Sequence, residues 1–141
     1  SAPKFYFFDL SLSQFLLQKE IRLLKGSDAG HALEQYVFLE LMAYKELNKK
    51  RFDIKYWRTK NGLEVDFILG QGEIAIEVKL STPVGKHDLN GLIAFATEHK
   101  PRLSIVVGLE PFKRLMNIDG TEVYVYPIEQ FLQELWKGEI I

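Results

Sequence analysis

The stretch 63–79 restricts what this chain can become more than any other part of it. Leu63-Glu64-Val65-Asp66-Phe67-Ile68-Leu69 and Glu73-Ile74-Ala75-Ile76-Glu77-Val78-Lys79 both alternate with period two, separated by Gly70-Gln71-Gly72. That pattern predicts a β-hairpin turning at Gln71-Gly72, where glycine supplies the positive φ of a two-residue turn. In this register Gly70 faces Glu73, Ile68 faces Ala75, Asp66 faces Glu77 and Glu64 faces Lys79. One face then carries Val65, Phe67, Leu69, Ile74, Ile76 and Val78. The other carries Glu64, Asp66, Glu77 and Lys79.

Carboxylates directly opposite on adjacent strands have Cβ atoms roughly 4.5–5.5 Å apart and repel one another. Two readings of that pair stand. In the first, the hairpin is simply amphipathic, and Glu64 and Lys79 pair across its charged outer face. In the second, Asp66 and Glu77 are arranged for a divalent cation. Hard cations such as Mg²⁺ are held by one or two carboxylates together with waters and a substrate phosphate. Lys79 shares the face of Glu77, two residues away. An ammonium there stabilises charge developing at a phosphate or orients an attacking water, and it can also form a salt bridge to Glu64 or Asp66.

Composition narrows the alternatives. At 141 residues, the chain is one domain able to bury a core. A hydrophobic fraction of 47% excludes a disordered segment. The formal charge of −1 gives no global nucleic-acid signature, so any such binding must come from local clustering. There is no cysteine, which removes disulfides, thiolate zinc sites and cysteine nucleophiles. No apolar run approaches the ~20 residues that span a bilayer, so no membrane is expected and a cytoplasmic location fits. The opening Ser1-Ala2-Pro3 suggests a fragment of a longer parent.

Along the chain, the apolar run 4–8 suits a short strand, and a helix is expected from about 9–11 to 25, ended by Gly26. A second helix over about 28–50 carries Leu33, Tyr36, Val37, Leu41, Tyr44 and Leu47 at helical spacing. A strand at 53–59, a turn at 60–62 and the acidic hairpin follow. Next come a helix over 88–99 with Leu89, Leu92, Ile93 and Ala96 inward, and a strand at 103–107 covered on both faces. A strand at 122–126 and a helix to about 137, begun at Pro127, complete the order. This sequence of elements suits a mixed sheet covered by helices.

The second helix supplies two more acids. Glu34 lies at the edge of its apolar stripe and Glu40 on the stripe itself. A carboxylate on an apolar face costs several kcal/mol unless paired or protonated, so Glu40 needs a partner such as Arg58 or a backbone amide. Lys45, Lys49, Lys50, Arg51, Lys55, Arg58 and Lys60 crowd one short stretch, with Tyr56 and Trp57 interleaved. They could track a phosphate backbone, and Lys55, Arg58 and Lys60 are the candidate DNA contacts. They could equally complement a helix C-terminus. Pro83-Val84-Gly85-Lys86-His87 lacks the first glycine and the terminal Ser or Thr of a nucleotide-binding loop. His31, His87 and His99 lack ligand spacing, and no nucleophile elbow is present.

Glu34 on a helix, Asp66 on one strand and Glu77-Val78-Lys79 on the next resemble the PD-(D/E)XK nuclease superfamily. Gly30-His31-Ala32-Leu33-Glu34 is similar to the Gly-x-x-x-Glu opening of its archaeal Holliday-junction resolvases. Residues 30–41, Tyr56-Trp57-Arg58-Thr59, Glu64-Val65-Asp66-Phe67, Ile76-Glu77-Val78-Lys79 and Asp88-Leu89-Asn90-Gly91-Leu92 together resemble one family more closely. It is the uncharacterised C-terminal domain that follows the motor in many bacterial and archaeal AAA-type ATPases.

That resemblance implies an α/β fold, a three-layer α/β/α with a central mixed sheet, restriction-endonuclease-like. It implies Mg²⁺ (or Mn²⁺) held by Asp66, Glu77 and the carbonyl of Val78, with Lys79 positioning the attacking water and Glu34, or else Glu40, completing the site. Val65 stands where the superfamily has proline, a common variation. The organisation implied is an N-terminal segment, 1–27, linking to an ATPase module outside this chain, and a nuclease-like domain, 28–141. The leading expectation is a hydrolase that cleaves DNA phosphodiesters, partnered by the ATPase module of its parent chain, with an oligomer compatible. The alternative is a catalytically silent DNA- or protein-interaction domain on the same fold. A purely structural domain with an ion-paired polar face is the third reading.

Overall fold

The structure is a computed structural model that describes residues 27–141. The strand expected at 4–8 and the helix expected near 9–25 lie outside the described residues. The chain divides into two compact units, Ser1–Arg51 with Leu132–Ile141, and Phe52–Phe131.

In the first unit, helix α1 spans Ser27–Leu47 and buries Leu33, Val37, Leu41 and Tyr44, four of the six stripe residues expected. Tyr36 is half-buried and Leu47 is exposed. The helix stops three residues before the expected end. Lys49 turns left-handed (φ 53°), and the Lys50 amide donates back to the Lys45 carbonyl at 2.9 Å. That closure satisfies a last-turn carbonyl that would otherwise lack a donor. Within this unit the Tyr44 hydroxyl donates to the Ile141 carbonyl at 2.6 Å, and its ring meets Trp136 edge-on at 5.3 Å.

The second unit is built on a six-stranded mixed sheet. Strands β1 (Ile54–Arg58), β2 (Glu64–Leu69), β3 (Ile74–Lys79), β4 (Leu103–Gly108), β5 (Arg114–Ile118) and β6 (Thr121–Pro127) lie in the order β1-β2-β3-β4-β6-β5. The β1–β2, β2–β3 and β5–β6 pairs are antiparallel, while β3–β4 and β4–β6 are parallel. A parallel pair needs a crossover. Between β3 and β4 it is a short 3₁₀ turn, Lys86–Leu89, running into helix α2 (Asn90–His99). Helix α3 (Ile128–Trp136) follows β6 directly. The expectation of a mixed α/β chain is met, and among the described residues no helix is long and apolar enough to cross a membrane.

The central strands read as continuous apolar runs because both their faces are covered. Ile105, Val106 and Val107 are fully buried, as are Ile74, Ala75 and Ile76. Beneath α2, Leu89, Leu92 and Phe95 join Val65, Ile68, Ala75, Val106, Val123 and Val125 in one hydrophobic cluster. Phe95 is the inward residue that helical periodicity did not single out, and Ala96 is only half-buried. The approach of α2 to the sheet is close. A Cβ on Gly91 would come within 2.0 Å of the Glu64 carbonyl oxygen, so only glycine lets this first turn lie against β2.

Three departures from the sequence reading have physical causes. The hairpin turn is four residues, 70–73, not two, with both Gly70 and Gly72 at positive φ and the Glu73 amide bonded to the Leu69 carbonyl. Extending the loop symmetrically keeps the register, so Ile68 still faces Ala75. β5 was not expected. It is an edge strand joined to β6 through Asp119-Gly120, both at positive φ, the signature of a tight hairpin. Lastly, β2 is not evenly alternating. Lys55 pairs with Ile68 but Trp57 pairs with Val65, so two β2 residues, Asp66 and Phe67, stand opposite the single residue Tyr56. Because of this bulge Val65 and Ile68, three apart, both reach the α2 cluster. The single apolar face expected for Val65, Phe67 and Leu69 is therefore broken at Asp66.

Candidate functional site

The bulge falls on Asp66, the first acid of the expected pair. Past Phe67 and Ile76 the ladder between β2 and β3 ends, and side chains take over its hydrogen bonds. The Asp66 amide donates to Glu77 Oε1 at 3.1 Å, and the Val78 amide donates to Asp66 Oδ2 at 2.8 Å. Each carboxylate thus ties itself to the opposite strand's backbone. On its other side β3 remains in register with β4 up to Lys79 opposite Gly108. The acidic pair occupies the fork where β2 leaves β3.

Glu77 is 7% exposed, while Asp66 and Lys79 are half-buried. Burial, then a hydrogen bond to the Asp66 carboxyl and its charge, push the Glu77 carboxyl up to about 9 against the weaker pull of Lys79. Lys79 Nζ stands 3.8 Å from Glu77 Oε2. The three residues expected to act together are therefore adjacent. The expected salt bridge of Lys79 to Glu64 or Asp66 is replaced by this one to Glu77. Glu64 instead pairs with Arg58 across β1 and β2, because the bulge resets which residues face each other.

A second polar assembly holds the segment that follows Lys79. Glu110, 8% exposed, accepts the Val84 amide at 2.7 Å and is gripped by Arg114 through Nε at 2.8 Å and Nη2 at 2.9 Å. Arg114 Nη2 also donates to the Val84 carbonyl at 2.9 Å. Both backbone groups of Val84 are thereby fixed. The Arg114 guanidinium holds the Glu110 carboxyl below the usual range, burial opposing it. Asp88 accepts the Gly85 amide at 2.9 Å, which starts the turn into α2. No motif reading pointed to Glu110 or Arg114; their four-residue spacing was the one signal available.

The remaining candidates divide. Glu34 is half-buried on α1, within the first unit. Glu40 is 1% exposed, and its partner is neither Arg58 nor a backbone amide. Trp136 Nε1 donates to its Oε2 at 3.0 Å. Burial pushes its carboxyl up, while the Trp136 hydrogen bond and, after it, the Tyr36 hydroxyl hold it down. That enclosure makes Glu40 an internal tie of the first unit. Lys55 is largely exposed, 3.9 Å from Asp53, Lys60 is exposed on the 60–62 turn, and Arg58 is engaged by Glu64. Lys45 closes the last turn of α1, where a cation complements the dipole.

Among the described residues no three Asp, Glu, His or Cys side chains converge as a cation cage. A cleft of about 410 Å³ lies by Lys100, Arg102, Thr121 and Tyr124. Another, of about 360 Å³, lies by Trp57, Gln71 and His99. Neither is lined by Asp66 or Glu77.

Searches of curated proteins and of solved structures returned no match. Residues 29–131 match the family described as "Domain of unknown function (DUF4143)". The match runs from the first turns of α1 across the acidic fork, α2 and every strand of the sheet, so the chain belongs to the DUF4143 family.

Proposed function

We propose that this chain is a metal-dependent, nuclease-like domain of restriction-endonuclease-like three-layer architecture that hydrolyses DNA phosphodiesters. We place it in the cytoplasm as the C-terminal part of an AAA-type ATPase chain. The observation that carries the reading is the fork itself, where two carboxyls and one ammonium meet at the end of a ladder: Glu77 Oε2 is 3.8 Å from Lys79 Nζ and Glu77 Oε1 accepts the Asp66 amide. An acid pushed up to about 9 by burial and then by a second acid is poorly placed for stability, and such groups cluster where chemistry is done.

The donor set fits Mg²⁺ or Mn²⁺. These cations favour carboxylate oxygens and complete their shells with waters and substrate phosphate rather than an all-protein cage. Asp66 and Glu77 would hold the ion, and the superfamily resemblance adds the Val78 carbonyl. When bound, the cation supplies Lewis-acid stabilisation of the phosphoryl oxygens and a more acidic water. The chain's own residues do the rest. Without a cation, Glu77 keeps its proton at neutral pH, which relieves its repulsion with Asp66. The backbone amides of Asp66 and Val78 orient one oxygen of each carboxyl. Lys79, 3.8 Å from Glu77, presents its ammonium at the fork to orient a nucleophilic water or meet the charge on the phosphate. The Glu110–Arg114 clamp on Val84 restrains the segment that leaves Lys79.

The test is cleavage of supercoiled plasmid and of branched DNA with Mg²⁺ or Mn²⁺, comparing the wild type with Lys79→Ala. Activity in the wild type that the variant loses supports the enzyme. Equal inertness of both proteins with both metals ends it. One observation favours a second reading, a silent DNA- or protein-interaction domain of the same ATPase. Glu77 is nearly sealed, and one oxygen of each acid is already engaged by backbone. That reading predicts that Asp66→Ala leaves binding intact.

A further inference from the structure

The cleft of about 360 Å³ is built unlike the acidic fork. It opens beside β1, the turn 70–73 and the last turn of α2, and is lined by Lys55, Trp57, Gln71, Phe95 and His99 among others. Three of these are rings in mutual contact. Trp57 meets Phe95 edge-on at 5.4 Å, Phe95 stacks on His99 at 4.6 Å with planes 28° apart, and Trp57 meets His99 at 6.3 Å. Phe95 is buried and anchors the group, while the His99 side chain is 42% exposed. Lys55 lies on the same side of β1 as Trp57, and its side chain is 70% exposed. Its contact to Asp53, at 3.9 Å, is a solvated one.

We propose that this cleft receives an unpaired nucleobase of a single-stranded nucleic acid, stacked on the Trp57–Phe95–His99 rings, with Lys55 beside the adjoining phosphate. Every base has a π-face, so aromatic platforms beside a cation bind single strands with little regard to sequence. The cleft is at the lower end of volumes that hold small ligands, which suits one base and not a folded partner. Gln71 adds an amide that can bond a base edge. A peptide adding itself as a strand to β1 is the competing occupant. That edge is irregular, since β1 pairs with a bulged β2, and it carries Lys55 and Arg58, with Lys60 on the turn that follows. Charged, irregular edges discourage strand addition, whereas the same charges complement a phosphate backbone. The inference rests on the nucleic-acid reading above but requires neither Asp66 nor Glu77.

The test uses the whole chain in EDTA, so that no cleavage intrudes, with a fluorescein-labelled oligo-dT probe followed by anisotropy and by tryptophan emission. His99→Ala should weaken binding by roughly 5-fold or more, as loss of a stacking partner does. Lys55→Ala should lower the slope of log K against log salt by about 0.7, the value of one phosphate contact on a single strand. Quenching of tryptophan emission by the probe should vanish in Trp57→Phe, leaving Trp136 unaffected. Both truncated side chains are exposed enough for the fold to tolerate them, which melting temperatures check. Probe binding with all three signatures supports the inference. Absence of binding, binding that ignores all three substitutions, or equal competition by free dTMP at matched nucleotide concentration overturns it. Metal-dependent cleavage by the wild type is read in a separate assay, and its presence or absence is unaffected by that outcome.

Discussion

Glu77 and Glu110 are nearly equally hidden, at 7% and 8% exposure, yet their surroundings do opposite things to them. Glu110 is closed around by a guanidinium and a backbone amide, and its carboxyl is held low. Glu77 faces a second acid, with one backbone amide and a lysine at 3.8 Å to offset it, and burial together with that acid pushes its carboxyl up to about 9. A fold that can satisfy one buried carboxylate so fully has no structural reason to leave another opposed. Glu110 reads as architecture, fixing the segment after β3, and Glu77 as a group kept ready for something positive.

The largest effect that would sharpen this contrast is on cleavage. Asp66→Ala or Lys79→Ala should reduce Mg²⁺-dependent hydrolysis of plasmid DNA by at least about 100-fold, in line with losing a group that meets transition-state charge. Glu110→Gln should lower it far less at a temperature where the fold is intact. If Glu110→Gln is as inactive as Lys79→Ala without having melted, the two acids are not different in kind.

Stability should change in opposite directions. Glu110→Gln removes a charge-assisted set of bonds and should destabilise the protein by about 1–3 kcal/mol. Glu77→Gln, in EDTA at pH 8, should stabilise it, since the fold keeps a proton that the unfolded chain has released, at about 1.4 kcal/mol for each pH unit above the ordinary glutamate range. Urea melts of both variants decide the sign. Loss of stability in Glu77→Gln would contradict the opposition inferred at the fork.

The pH profiles follow with the same signs. Glu77 holds its proton in the fold up to about 9, while the unfolded chain releases it near the usual carboxylate range. The folded state thus binds the extra proton between those limits, and stability falls as pH rises through that window. Glu110 is lowered in the fold, so its contribution is present above the ordinary glutamate range and is lost as pH falls through its folded value. Glu77→Gln should flatten the fall in stability between about 4.5 and about 9, and Glu110→Gln the loss below the ordinary glutamate range. Melting temperature against pH measures both.

How much of this was legible in the chain depends on how far apart the interacting residues lie. The hairpin register could be read because it is local; the turn is centred on Gln71-Gly72, and either a two-residue or a four-residue loop about that centre places Ile68 opposite Ala75. The bulge at Asp66 and Phe67 could not, because it is created by pairing with β1 and leaves no mark in the period of β2. It is also what sends Arg58 to Glu64 and leaves Lys79 to Glu77. β5 carried a readable mark, Asp119-Gly120, that the apolar count obscured, since an edge strand such as Arg114–Ile118 buries little. Glu40 announced that it needed a partner, but Trp136 is 96 residues away, and a neutral donor is not sought where an arginine is at hand. Asp66, Glu77 and Lys79 could be singled out because the hairpin pattern alone places them side by side. The clamp on Val84 and the rings around His99 were not, because each is assembled from separate elements.

Isothermal titration of Mg²⁺ or Mn²⁺ into the metal-free protein at pH 7, in two buffers of different ionisation enthalpy, addresses the fork most directly. The account predicts binding accompanied by release of close to one proton, as the ion displaces the one on Glu77, and loss of both heat and proton release in Glu77→Gln and Asp66→Asn. No uptake of either ion, or uptake without proton release that survives both substitutions, would contradict it.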